Sequence, residues 1–202
     1  MNKIIMLIWL SIFIQCQSQK INKYMMPIVD NKYEKFDIEN FQKKSIRGYL
    51  KGRENSNINV QDFQSPGYRE MIYNDNLFYK INKFFYNNGN IEKKGCLFNE
   101  GSAVGIWYHF DESGKFVKEE NTDEGYNFKP ENIIAYCEKN KINLPKGYHD
   151  SGYQARVLKQ DFEGKKVWWI SHQIAGDKIE EIILDGKTGK ELQKKVVPFY
   201  NP

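Results

Sequence analysis

The chain has 202 residues, of which 40% are hydrophobic, 15% aromatic and 28% charged. That is enough apolar material for one folded domain or two small ones, and it excludes a disordered chain. Thirty basic against 26 acidic residues give a formal net charge of +4, with lysines and glutamates interleaved along the whole length. Such a pattern belongs to a solvated surface and argues against a nucleic-acid partner, which requires basic residues gathered on one face.

The chain begins Met1-Asn2-Lys3 and continues into an apolar run over Ile4–Ile14. A run of about 11 residues fits the core of a signal peptide and is too short to span a bilayer. It ends at Phe13-Ile14-Gln15-Cys16-Gln17-Ser18. A cysteine at this place resembles a bacterial lipoprotein signal, over the first 16 residues. The resemblance implies that residues 1–15 are removed and that Cys16 carries a lipid. The protein is then exported to the cell envelope, held at the outer membrane or facing the periplasm. Gln15 stands where such signals usually have a small residue, and ordinary secretion with cleavage beyond Cys16 is the competing reading. With Cys16 as the anchor, Cys96 and Cys137 remain. They could pair as a disulfide, and two buried free thiols satisfy the sequence equally well.

Residues 17–35 lack periodicity and read as a tether broken by Pro27. A short helical turn is expected over 35–44, with Phe36, Ile38 and Phe41 apolar. Residues 45–66 are polar and read as loop, with one edge strand near 46–50. The pattern changes at Gly67. Tyr68–Tyr73, Leu77–Tyr86, Ile91–Phe98, Ala103–Phe110 and Lys115–Glu120 read as strands, divided by turn residues. Asn88-Gly89 suggests a type I′ turn, in which both central residues take positive φ. On the strand at 103–110, Trp107 and His109 share one face and Ile106, Tyr108 and Phe110 the other. The stretch also nearly repeats itself. Phe85 to Ile91 realigns on Phe110 to Phe116 with Gly89 on Gly114, the mark of stacked supersecondary units.

Residues 121–128 form an acidic connector, and Pro130 opens a helix over 131–140. Strands follow at 154–161, 166–174 and 178–184, with turns at Glu163-Gly164 and Gly176-Asp177. Asp185-Gly186-Lys187-Thr188-Gly189-Lys190 leads into a last strand over 191–197. The expected fold is α+β and mostly antiparallel β. It is a β-hairpin meander followed by one helix packed on a three- to four-stranded antiparallel sheet. The segments are a signal peptide at 1–15, an anchored tether and polar stretch at 16–66, the hairpin repeats at 67–120 and the helix-plus-sheet piece at 121–202.

Tyr86-x-x-Gly89-x-Ile91, followed by Gly105-x-Trp107-x-x-Phe110-Asp111-x-x-Gly114-Lys115, resembles the MORN-variant repeat over about residues 79–118. This resemblance implies a β-hairpin array of antitoxin or immunity type. The segment over about 130–197 is similar to a PepSY-type domain. Trp168, Ile170, Ile182, Leu184, Asp185, Thr188, Gly189 and Leu192 carry that similarity, which implies binding or inhibition rather than turnover.

No motif for chemistry stands out. His109, His149 and His172 fall in no His-Glu-x-x-His or Cys/His zinc spacing, so neither a metal nor a cofactor is expected. Gly186–Lys190 lacks the phosphate-loop spacing and the helix that must follow it. Asp111-Glu112 and Asp123-Glu124 lack the alternating oxygen ligands of a calcium loop. Asn88, Gly89, Gly105, Gly114, Asp185 and Gly189 read as structural turn positions. Trp107, Tyr108, Trp168 and Trp169 are the candidate partner-binding residues. Neighbours on a strand point to opposite faces, so one ring of each pair should be exposed. The sequence thus describes a non-enzymatic, lipid-anchored module. It binds a protein partner such as an exported toxin or protease, with the membrane reached through Cys16. The alternatives are an envelope lipoprotein without a tight partner and a hydrolase with an unrecognised site.

Overall fold

In the chain's computed structural model, residues 24–199 are described; the signal peptide and Cys16 lie outside them. Mostly antiparallel β-structure is built in two sheets. Seven strands form a meander in strict sequence order: β1 (Tyr49–Glu54), β2 (Asn57–Phe63), β3 (Tyr68–Asn74), β4 (Tyr79–Phe85), β5 (Ile91–Phe98), β6 (Ala103–Phe110) and β7 (Phe116–Asn121). A short helix α1 (Ile38–Lys44) precedes them, capped by the Asp37 side chain accepting from the Asn40 N–H. Helix α2 (Pro130–Lys139) follows, then β8 (Arg156–Phe162), β9 (Lys165–Ala175), β10 (Lys178–Asp185) and β11 (Glu191–Pro198). The last four strands make a second antiparallel sheet in the order β11-β10-β9-β8.

Two segments differ from the sequence expectation. Residues 45–66, expected as loop with one edge strand near 46–50, hold two paired strands: the edge strand β1, displaced to 49–54, and the unexpected β2. The alternation of Ile58 and Val60, which are buried beside Met71 and Tyr73, was masked by the surrounding asparagines. The stretch from Tyr24 is not a free tether but a strap laid on the meander. Tyr24, Met26 and Val29 pack against the main core. Phe36 and Phe41 join Tyr68, Phe85, Ile91 and Phe110 in a second cluster. The strap is also fixed by charge. Lys94 lies in the middle of the sheet at 1% exposure, and its ammonium donates to Asp30 Oδ1 (3.1 Å), Lys32 O (2.8 Å) and Glu34 Oε1 (2.6 Å). A buried lysine without such partners is strongly unfavourable, so the strap is what allows a polar residue at that position.

The internal repeat is visible as two matching turns. Tyr86 N–H donates to Asn90 O and Gly89 N–H to Tyr86 O, and the same pair of bonds joins Asp111 to Lys115 and Gly114 to Asp111. Gly89 and Gly114 have φ of +82° and +84°. Asn88 is not among the residues with positive φ, which corrects the type I′ expectation. These are three-residue loops in which a type I turn is followed by one left-handed glycine. They lie side by side, because Asn88 and Asn90 both donate to Glu112 O, at 2.9 and 2.8 Å.

The two sheets share one core. Tyr79, Phe98 and Val104 of the meander meet Ile133, Ile134 and Cys137 of α2 and Val157, Trp168, Ile170, Ile182 and Leu184 of the second sheet. Residues 100–102 run along the outer edge of β8. Val157 N–H donates to Glu100 O and Ser102 N–H to Val157 O, with a parallel bridge at Gly101. Lys159 reaches across the junction to Ala103 O and Thr122 O, both at 2.8 Å, and to the Asp123 carboxylate.

Candidate functional site: an aromatic groove on the second sheet

Strand alternation divides β9 between two environments. Trp168 and Ile170 face α2 and the core, while Trp169, Ser171 and Gln173 face the other side of the sheet. On that outer side lies a cavity of about 720 Å³. Trp169, Ser171 and Gln173 of β9 and Ile179 and Glu181 of β10 line it, together with Tyr153, Arg156 and Phe199.

Tyr153, from the loop before β8, and Phe199, just after β11, meet with ring centroids 5.1 Å apart at 67°. Phe199 is held by its N–H donating to Asp177 O at 2.7 Å. The Tyr153 hydroxyl shares a hydrogen bond with the buried Ser171 hydroxyl, and Arg156 lies 5.8 Å over the Tyr153 ring. In the ladder, Arg156 is opposite Ser171 and Ser171 opposite Glu181, so a cation, a hydroxyl and a carboxylate stand abreast. Glu181 is held by Lys195 at 2.9 Å. Arg156 makes no ion pair among the described residues, unlike Arg53 and Arg69, which bind Asp75 and Asp62. An aromatic-walled concavity with a few fixed polar groups is suited to binding. Ser171 lies against a tyrosine rather than a histidine or carboxylate, so nothing here activates it as a nucleophile.

The other candidates are committed elsewhere. Trp168 is fully buried, its indole N–H donating to Phe128 O at 2.8 Å, and it is not available as a contact residue. Trp107 is likewise buried, its indole donating to Cys96 O at 3.1 Å. The glycine at position 95 allows this, since a Cβ there would lie 2.4 Å from the Trp107 indole nitrogen. Tyr108 is half-buried against the second cluster. Cys96 and Cys137 are both free and buried, so no disulfide joins them. Burial pushes each thiol up to about 12.

Of the predicted turn residues, Asn88, Gly89, Gly114, Asp185 and Gly189 lie in turns, whereas Gly105 sits inside β6, where the β5–β6 register shifts. Its φ of +69° marks an irregularity within the strand rather than a turn, and its carbonyl accepts from Thr122 N–H at 3.0 Å. Asp185 Oδ1 accepts from the Lys187 and Thr188 N–H groups, and those bonds hold its carboxyl below the usual range. Gly189 has φ of +72° with the Phe128 ring against it.

His109 pairs with Glu120 at 2.8 Å, His172 with Glu180 at 3.0 Å, and His149 with Lys146 O at 3.0 Å. Among the described residues no group of three His, Cys, Asp or Glu is placed to hold a metal, and no helix is long and apolar enough to cross a membrane. A second cavity of about 470 Å³ at the end of α2 is lined by Cys137, His149 and Lys146 among others, and burial suppresses ionisation of its thiol.

Of the groove, the sequence pointed only to Trp169. Tyr153, Arg156 and Phe199 come from a loop, a strand start and the chain's end, and carried no common signal. The outward parity of 169, 171 and 173 was the one available clue. A scan of protein-family models and searches of curated proteins and of solved structures found no match to this chain.

Proposed function

We propose that the protein is an exported, lipid-anchored, non-enzymatic binding module of the bacterial envelope. It is of immunity or inhibitor type and captures a protein partner, such as an exported toxin or protease, in the Trp169 groove. The observation that carries this reading is the division of labour among the tryptophans. Trp107 and Trp168 are consumed by core hydrogen bonds, whereas Trp169 opens on a groove beside an arginine without an ion partner. Large rings next to arginine are the residues that most often dominate binding energy. The lipid anchor is supported by the signal-like first 16 residues, and the immunity-type reading by the MORN-variant and PepSY-type resemblances.

Two measurements test the reading. Intact mass and membrane fractionation in a lipidating host should show an acylated Cys16 and membrane retention, both lost in Cys16→Ala. Release of unmodified wild type cut beyond residue 16 removes the anchor. Against purified co-exported proteins, Trp169→Ala should lose a partner that wild type retains. Equal retention by Trp169→Ala and wild type removes the groove, and the absence of any tight partner favours a purely structural envelope lipoprotein.

A further inference from the structure

We infer that the groove takes an extended acidic peptide segment, with an apolar side chain on the Trp169 ring and a carboxylate on the Arg156 guanidinium. The inference rests on the groove being the binding site and names what it binds.

Register supplies the spacing. Arg156 lies opposite Ser171, and Trp169 is two residues back along the same strand, so Arg156 and Trp169 are diagonal neighbours on one face. Such neighbours stand about 7–8 Å apart. Residues two apart in an extended peptide point the same way and are separated by about 6.8 Å. A segment with an apolar residue at one position and Asp or Glu two positions on therefore meets both groups without leaving the extended conformation.

Charge supplies the sign. Around the floor of the groove Arg156 and Lys195 face the single carboxylate of Glu181, and Lys195 and Glu181 bind each other. The guanidinium of Arg156 is left over. It rests on the Tyr153 ring, itself held by Ser171 and Phe199. The Arg156 side chain makes no hydrogen bond or ion pair among the described residues, so its N–H groups are free for two parallel bonds to a carboxylate. Shape favours a chain over a compact ligand. Two glycines, Gly152 and Gly176, line the groove, and a Cβ added at Gly176 would meet nothing within 4 Å, and at Gly152 only Gln154. The groove wall is therefore uncrowded at these two positions, which leaves room for a peptide backbone.

The test uses the full chain and two blocked, fluorescein-labelled peptides, Gly-Phe-Ser-Asp-Gly and Gly-Phe-Ser-Asn-Gly, read by fluorescence anisotropy. Wild type should bind the aspartate peptide about tenfold or more tighter than the asparagine peptide, and the preference should shrink as salt is raised. Arg156→Gln, at an exposed position, should fold normally and erase the preference, while Trp169→Ala should weaken both peptides. Equal affinity for the two peptides, a preference that survives Arg156→Gln, or no saturable binding of the aspartate peptide would each overturn the inference. If the peptides bind equally and Trp169→Ala still weakens them, the groove stands and its acidic ligand falls. If Trp169→Ala changes neither, the groove itself falls.

Discussion

Replacing Trp168 with alanine removes a fully buried ring that lies edge-on to Phe98, packs against Tyr126 and donates to Phe128 O. The expected cost is about 3–5 kcal/mol of stability. Trp169→Ala, one residue on, removes a half-buried ring from the groove wall and should cost under about 1 kcal/mol. Urea denaturation of the two variants checks the contrast, and a large loss in Trp169→Ala would mean that the ring is core rather than contact. The thiols give a second residue-scale expectation. Because burial raises Cys96 and Cys137 to about 12, almost no thiolate exists at neutral pH. Iodoacetamide should leave both unmodified in the folded protein and label both in denaturant. Rapid native labelling of either would contradict its burial.

At the scale of elements, the strap couples to pH with a definite sign. Burial alone would raise Glu34, but the hydrogen bonds from Lys83 and Lys94 outweigh it and hold the carboxyl below its ordinary value of 4.5. For Asp30 the bond from Lys94 leads, and it too is depressed. A depressed carboxyl contributes stability that is fully present above the ordinary value and lost as pH falls through the folded-state value. The strap should therefore hold above about pH 4.5 and loosen below it. Amide exchange over residues 24–37 should show this, and Lys94→Met should shrink the pH dependence. An unchanged profile in Lys94→Met would show that Lys94 does not carry it. The legibility of the elements follows the same division. The strands from Tyr68 onward and α2 could be read because apolar residues alternate or recur at helical spacing between turn residues. The strap could not, since it is held by a lysine from a distant strand and by apolar residues without a period. The edge strand β1 was located only to within a few residues, because nearly all of it is exposed and its sequence carries no face. In the groove, alternation made Trp169 visible, whereas its neighbours Tyr153 and Phe199 are brought together only by the completed sheet.

For the whole molecule, the junction of the two sheets is tight at one point. A Cβ on Gly101 would lie 2.1 Å from Val157 O, so Gly101→Ala must push residues 100–102 off the edge of β8. About 1–3 kcal/mol is the usual cost of such overpacking, and loss of the two backbone bonds adds to it. Lys159→Met should be destabilising as well, because it leaves Asp123, at 7% exposure, buried without its cation. Since one core spans both sheets, wild type should unfold in a single transition by tryptophan fluorescence and by far-UV circular dichroism. Two separate midpoints would show that the sheets are independent.

The strap also fixes a reach. Its first described residue, Tyr24, bonds to Glu138 in α2, so on the proposed lipid anchor only residues 17–23 separate the bilayer from the folded body. Fully stretched, such a segment covers no more than about 25 Å. The protein would then patrol a thin shell next to its membrane, with a partner's accessibility to that shell counting as much as its affinity. Lengthening the leash by a glycine-serine insert ahead of Tyr24 should widen the range of partners captured in the envelope while leaving the dissociation constant in solution unchanged.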